Sequence, residues 1–211
     1  MGRVPPSCAR HPPRPEKTVV RQGSGRLESL VMFRTGIGFD AHRFAKARRL
    51  ILGGVQIEHA AGLLGHSDAD VLCHAIMDAL LGAVADGDIG KHFPDADPRW
   101  RDACSIDLLR IVARRLRAGK WTVANVDATV LAESPRVAPH RAAMRRNLAN
   151  AMGIAVERVS VKATTLEGMG ALGRREGIAV MAVAAVRRSA RGAAPKAGAG
   201  ARPPGKRGMR R

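Results

Sequence analysis

A chain of 211 residues, 45% of them hydrophobic, can bury the core of one ordinary domain, although aromatic residues are scarce at 3% and tyrosine is absent. The formal net charge of +18 resembles that of a nucleic-acid binder until it is divided along the chain. Residues 1–32 carry +4, residues 187–211 carry +9, and the long middle only +5, so basicity belongs to the ends.

No apolar run approaches the roughly 20 residues of a membrane span. Cys8, Cys73 and Cys104 are odd in number and lack C-x-x-C spacing, so neither a disulfide framework nor a structural zinc knuckle follows, and a reducing cytoplasm is the natural setting. The first 32 residues have no apolar stretch of the signal-peptide kind. They contain Pro12, Pro13 and Pro15 and read as a disordered basic extension, or as sequence upstream of a start near Met32.

The first periodic stretch is Gly36-Ile37-Gly38-Phe39-Asp40-Ala41-His42. As a strand it would alternate, with Ile37, Phe39 and Ala41 toward the core and Gly36, Gly38, Asp40 and His42 on the other side. Asp-x-His then sets an oxygen and a nitrogen donor side by side, as a zinc-like ion requires, although two ligands alone make no site. A basic loop follows, then a second strand over 50–57 broken by Gly53 and Gly54.

Apolar residues at 71, 72, 75, 76, 79 and 80 recur at helical spacing, and the pattern predicts a helix ending near Val84. Ser67 reads as its N-cap, with Asp68 and Asp70 in the first turn. Asp70, His74 and Asp78 share a second stripe, which offers His74 as a third ligand with a carboxylate on either side to fix its tautomer. Three protein ligands with an open fourth position form the usual catalytic zinc arrangement.

Residues 86–98 are acidic and rich in glycine and proline, and read as a long turn. Ser105 reads as the cap of a helix through Leu116, closed by Gly119. Its Arg110, Arg114, Arg115 and Arg117 fit a solvated face better than a phosphate reader. Residues 121–131 alternate as a strand, with Asn125 and Asp127 on its polar side. A two-proline loop over 132–140 leads into a helix that Gly153 stops. Residues 159–163 form a strand delivering Thr164, Thr165 and Glu167, residues 178–186 form a buried strand, and the Gly, Ala, Pro, Arg and Lys of 189–211 predict a disordered tail.

Gly38-Phe39-Asp40-Ala41-His42, Gly65-His66-Ser67-Asp68-Ala69-Asp70, His74, Gly87-Asp88-Ile89-Gly90, Phe93-Pro94-Asp95 and Lys162-Ala163-Thr164-Thr165 occur in that order. Together they resemble the 2-C-methyl-D-erythritol 2,4-cyclodiphosphate synthase family of the non-mevalonate isoprenoid pathway, over about residues 34–186. The elements themselves predict an α+β domain over 33–188, with four or five strands in a mixed sheet and helices on one face. The resemblance adds a two-layer fold assembled as a homotrimer with active sites between subunits.

The resemblance also implies roles. Asp40, His42 and His74 would hold a zinc-like ion, and Glu167 a second, oxygen-preferring one, Mg²⁺ or Mn²⁺, on the substrate diphosphate. His66 and Thr165 would stabilise the transition state, with Ser67 beside them. Asp88, Gly90, Phe93, Asp95 and Asp97 would meet the methylerythritol. Ala132, Pro135, Arg136, Val137, Ala138, Ala163 and Thr164 would form the cytidine pocket, and Arg174 would lie near the trimer axis. Ala171 stands where the family often has phenylalanine, which puts the central cavity in doubt. The ligand expected is a cytidine diphosphate, with neither membrane nor nucleic acid as partner. The competing readings are nucleic-acid binding through the tails and a different zinc hydrolase. No nucleic-acid motif appears in the middle and no H-E-x-x-H is present.

Overall fold

The computed structural model describes residues 32–188; the expectations for the remainder of the basic extension and for the tail fall on residues outside this range. In chain order the strands are β1 (Phe33–Ala45), β2 (Leu50–Leu52), β3 (Val55–Ile57), β4 (Gly62–Leu63), β5 (Trp121–Leu131), β6 (Val159–Thr164) and β7 (Gly177–Arg188). The helices are α1 (Val71–Ala83), α2 (Ile89–His92), α3 (Ser105–Ala118), α4 (Arg141–Met152) and α5 (Gly170–Gly173). Five strands form one mixed sheet in the order β4-β1-β7-β5-β6, with only β5 and β6 parallel. α1 lies on β1 and β7, α3 packs on α1 and β5, and α4 on α3 and β6. The expected α+β architecture with helices on one sheet face is therefore present.

The strand expected over 50–57 is instead a hairpin, a separate two-stranded sheet whose turn is Gly53-Gly54. Both glycines have positive φ, 57° and 67°, as a two-residue hairpin turn of this type demands. Their amides are held by Asp70, whose Oδ1 accepts from Gly53 N–H at 2.9 Å and whose Oδ2 accepts from Gly54 N–H at 2.7 Å. Asp70 Oδ1 also accepts from Cys73 N–H at 3.1 Å, so Asp70, not Ser67, is the N-cap of α1. The helix starts after both aspartates rather than around them. Burial pushes the Asp70 carboxyl upward, and the Gly54, Gly53 and Cys73 amides pull it back.

The faces of β1 are the reverse of the expected ones. Ile37 and Phe39 are 66% and 59% exposed, whereas Gly38 is buried under α1. A Cβ on Gly38 would stand 1.9 Å from the Ala75 carbonyl oxygen, and one on Gly36 2.1 Å from that of Ala79. The helix lies directly on the backbone of the strand, with Ala75, Ala79 and Ala83 turned toward it. Bulk on the glycine face would push the helix away, so the large apolar side chains occupy the opposite face. There Ile37 lies opposite Val183 and Phe39 opposite Met181 of β7, all four exposed.

The other helices follow their sequence signals closely. Gly119 caps α3, and Gly153 ends α4 in the left-handed conformation. Arg110 pairs with Asp107, Arg115 with Asp86, and Arg117 donates to the Met152 carbonyl, as expected of a solvated face. Asp127 pairs with Lys162 on the polar side of β5. Among the described residues, no helix is long and apolar enough to cross a membrane.

Candidate functional site

The close seat of α1 on β1 brings His74 against the end of the Asp-x-His strand. His42 Nε2 lies 2.9 Å from Asp40 Oδ2, His74 Nδ1 lies 3.0 Å from the same oxygen, and the two ring nitrogens are 3.3 Å apart. Among the described residues, this is the one cluster of His, Cys, Asp or Glu ligands fit to hold a metal ion.

The donor set fits that role on its own hydrogen bonding. His42 Nδ1 is 2.6 Å from the Leu64 carbonyl oxygen and can only donate to it. The neutral ring therefore turns a lone pair at Nε2 toward Asp40. Electron-rich atoms packed this closely need a cation between them, either a metal or protons. Without a metal, protons fill the role. Burial alone would raise Asp40, but hydrogen bonds from His42 and His74 and their charges outweigh it and hold the carboxyl well below the usual carboxylate range. Burial likewise would lower His42, yet the hydrogen bond and charge of Asp40, helped by the Leu64 carbonyl and Asp95, raise it above its ordinary value.

Asp70 and Asp78, expected to flank and orient His74, do neither. Asp70 serves the cap and hairpin, and Asp78 accepts from Ile89 N–H at 2.8 Å. Spacing by four places side chains on one stripe but does not aim them at each other. His74 is backed instead by two hydroxyls, Ser105 Oγ at 3.0 Å and Ser67 Oγ at 3.2 Å from Nε2. Ser105 is the first residue of α3 rather than its cap, which is Cys104. Nothing in the spacing of positions 74 and 105 announces this contact.

The triad opens on a cavity of about 530 Å³. His66, Ser67, Gly90, Phe93 and Asp95 line it with the three ligands, together with Met77, Trp100 and Leu108, which sequence reasoning did not single out. Phe93 is buried edge-on against Trp100, with ring centroids 5.1 Å apart. His66 Nε2 is buried and has no hydrogen-bond partner among the described residues. Asp88 caps α2 by accepting from Lys91 N–H, and Asp97 accepts from the backbone and side chain of Arg99; neither lines the cavity.

The remaining expected site residues gather elsewhere. Parallel pairing sets Leu131 beside Thr164, and Ala132 N–H donates to the Thr164 carbonyl at 3.1 Å. Glu133, another residue not singled out, accepts through Oε1 from Leu166 N–H at 2.9 Å and Gly168 N–H at 3.2 Å. It ties the loop of Pro135, Arg136, Val137 and Ala138 to the turn after Ala163. In that turn Thr165 Oγ1 donates to Glu167, whose φ is 51°. Ala171 and Arg174 are exposed, and Arg174 pairs with Glu176. None of this second group lines the cavity of the triad.

A mixed α+β layer with an Asp-x-His strand and a facing helical histidine defines a protein with three side chains able to hold a metal ion at a strand–helix junction. The YgbB family model matches residues 33–187. The chain belongs to the YgbB family. It is 56% identical over 156 residues to the 2-C-methyl-D-erythritol 2,4-cyclodiphosphate synthase of Alkaliphilus metalliredigens, covering 74% of this chain and 98% of that one. It is 58% identical over 150 residues to the synthase of the same name from Syntrophomonas wolfei, covering 71% and 96%. Among solved structures it is similar to the Plasmodium falciparum IspF complex with CDP, with a TM-score of 0.66, 30% identity, and coverage of 75% of this chain and 97% of that one.

Proposed function

We propose that this protein is a phosphorus–oxygen lyase that converts 4-diphosphocytidyl-2-C-methyl-D-erythritol 2-phosphate to 2-C-methyl-D-erythritol 2,4-cyclodiphosphate and CMP. The observation that carries the reading is the convergence of Asp40 Oδ2, His42 Nε2 and His74 Nδ1 at the mouth of a polar-edged cavity, in a chain of this family. An oxygen of the 2-phosphate attacks the β-phosphorus, the bond from that phosphorus to the bridging oxygen breaks, and CMP departs with the electron pair. The nucleophile is already ionised, so the protein's task is to fold a flexible polyanion and offset its charge.

The residues divide that task. Asp40, His42 and His74 are assigned to a divalent ion, taken as Zn²⁺, and Glu167 to Mg²⁺ or Mn²⁺ on the diphosphate. Such ions, when bound, polarise phosphoryl oxygens and stabilise the charge that develops on them. His66 and Thr165 are assigned to the transition state; the unpartnered Nε2 of His66 leaves it a hydrogen bond to give there. Ser67 stands beside it. Phe93, Gly90 and Asp95, with Asp88 and Asp97 behind them, would hold the methylerythritol. The loop of Ala132, Pro135, Arg136, Val137 and Ala138, with Ala163 and Thr164, would read the cytosine through backbone groups.

The catalytic domain is taken as residues 33–188. The family resemblance implies a homotrimer, and the exposed pairs Ile37–Val183 and Phe39–Met181 supply an apolar sheet face of the kind that subunits cover. Arg174 and Ala171 would then lie near its axis. The buried and exposed free thiols Cys73 and Cys104 suit a reducing cytoplasm.

The test is phosphorus NMR of the cytidylated substrate with the metal-loaded protein. The expected result is the cyclic diphosphate together with CMP. His74→Ala should remain folded, lose zinc, and lose activity by more than about 100-fold, since even outer residues of metal sites are worth 10–100-fold. Hydrolysis to linear phosphates, or full turnover by metal-depleted His74→Ala, would overturn the reading.

A further inference from the structure

Behind the metal triad lies an arrangement that the proposed roles do not use. Ser105 is fully buried, and its hydroxyl lies between two partners. On one side is Asp68 Oδ1 at 2.5 Å, on the other His74 Nε2 at 3.0 Å. Asp68 is not placed there by chance of a flexible side chain. Its second oxygen, Oδ2, accepts from Ser105 N–H at 3.0 Å, which serves an amide at the start of α3 that Cys104 leaves uncapped. The backbone on either side is joined as well: Asp102 N–H donates to the His66 carbonyl and Asp68 N–H to the Ala103 carbonyl.

Counting protons gives each bond a direction. Ser105 Oγ–H donates to Asp68 Oδ1, which commits its single hydroxyl proton. With that proton committed, Ser105 Oγ can only accept on its other side, where His74 Nε2–H at 3.0 Å is the nearer donor and the Ser67 hydroxyl at 3.5 Å the farther. Ser67 Oγ is the longer contact at 3.2 Å and already accepts from Ala69 N–H.

We propose that Asp68 and Ser105 are positioning residues that fix His74 as its Nε2–H tautomer, so that the Nδ1 lone pair faces Asp40 and His42. The inference rests on the assignment of the triad as a metal site. It adds that a carboxylate–hydroxyl relay, one residue removed from the ring, sets which nitrogen is free to bind. The opposite tautomer would put a proton on Nδ1, 3.0 Å from Asp40 Oδ2, where the ion must sit. For a metal-ligating histidine, a carboxylate acting directly on the second nitrogen is the common device. Here the hydroxyl of the next helix is interposed, and the same carboxylate anchors that helix.

The experiment uses the full chain at pH 8, with nitrogen-15 NMR of the histidine rings in the zinc-loaded protein, and zinc affinity measured by chelator competition. In the zinc-loaded parent His74 should keep its proton on Nε2 and bind through Nδ1; a loaded parent bound through Nε2 overturns the proposal without any variant. Asp68→Ala frees the Ser105 proton for Nε2 and should favour the Nδ1–H form that competes with the metal, with zinc binding about 10–100-fold weaker. Ser105→Ala removes the acceptor and should mix the tautomers with a similar loss. If both variants fold and keep the parental tautomer and an affinity within about twofold, the relay has no such role. His74→Ala separates the two claims. If it retains zinc, the metal assignment itself falls; if it loses zinc while the relay variants do not, only the positioning role falls.

Discussion

Asp70 shows how much one side chain can hold at the residue scale. A single carboxylate caps α1, closes the Gly53-Gly54 turn and is itself fully buried, so the site helix and the hairpin share one anchor. Asp70→Ala would leave three amides, two of them buried, without an acceptor. The expected cost is about 2–4 kcal/mol of unfolding free energy, read as a lower urea midpoint at unchanged slope. A loss under about 0.5 kcal/mol would mean that water replaces the carboxylate. The metal triad itself was legible in the sequence, because Asp40 and His42 follow a two-residue period and His74 sits within a clear helical one. The partners of His74 were not. Ser105 lies 31 positions away, and a serine before an apolar run resembles a cap whichever way its hydroxyl points.

At the scale of elements, the main strands and the three long helices follow periodicity and punctuation, and Gly119 and Gly153 mark helix ends in both sequence and structure. The orientation of β1 did not follow. Period-two alternation identifies two faces, but hydrophobicity chose the wrong one as the face beneath the helix. The buried face is the one with glycines because contact there is backbone against backbone. Gly38→Ala tests this packing. A methyl group 1.9 Å from the Ala75 carbonyl must lift α1 from β1, at an expected cost of about 2–3 kcal/mol. Zinc affinity should fall with it, because His74 rides on the displaced helix. Calorimetric stability equal to the parent, with unchanged zinc binding, would contradict the direct-seat geometry.

At the scale of the whole molecule, the triad and the residues assigned to cytidine lie apart. The triad and its cavity use β1, α1 and the segment before α2, whereas the residues assigned to cytidine surround the ends of β5 and β6. Clefts between subunits would unite them, and the exposed apolar face of β1 and β7 is where such subunits would meet. Complementation follows from this arrangement. His74→Ala and a variant with residues 132–138 replaced by a Gly/Ser loop should each be inactive alone. Co-refolded in equal amounts, about one quarter of the interfaces in a closed ring would combine an intact metal half with an intact loop half. Mixed assemblies seen by native mass spectrometry that stay as inactive as either parent would refute a shared site.

The strand order has a consequence for biosynthesis. β7 is the middle strand of the five, flanked by β1 and β5, yet among the described residues it is the last strand in sequence. Translation therefore delivers both neighbours, with their hydrogen-bonding edges facing an empty lane, before the strand that fills it. Until residues 177–188 arrive, β1 has only the two-residue β4 beside it in the sheet, and α1 is the element that holds the strand carrying Asp40 and His42. The complete sheet therefore forms only after residues 177–188 enter between β1 and β5, a late and non-local step.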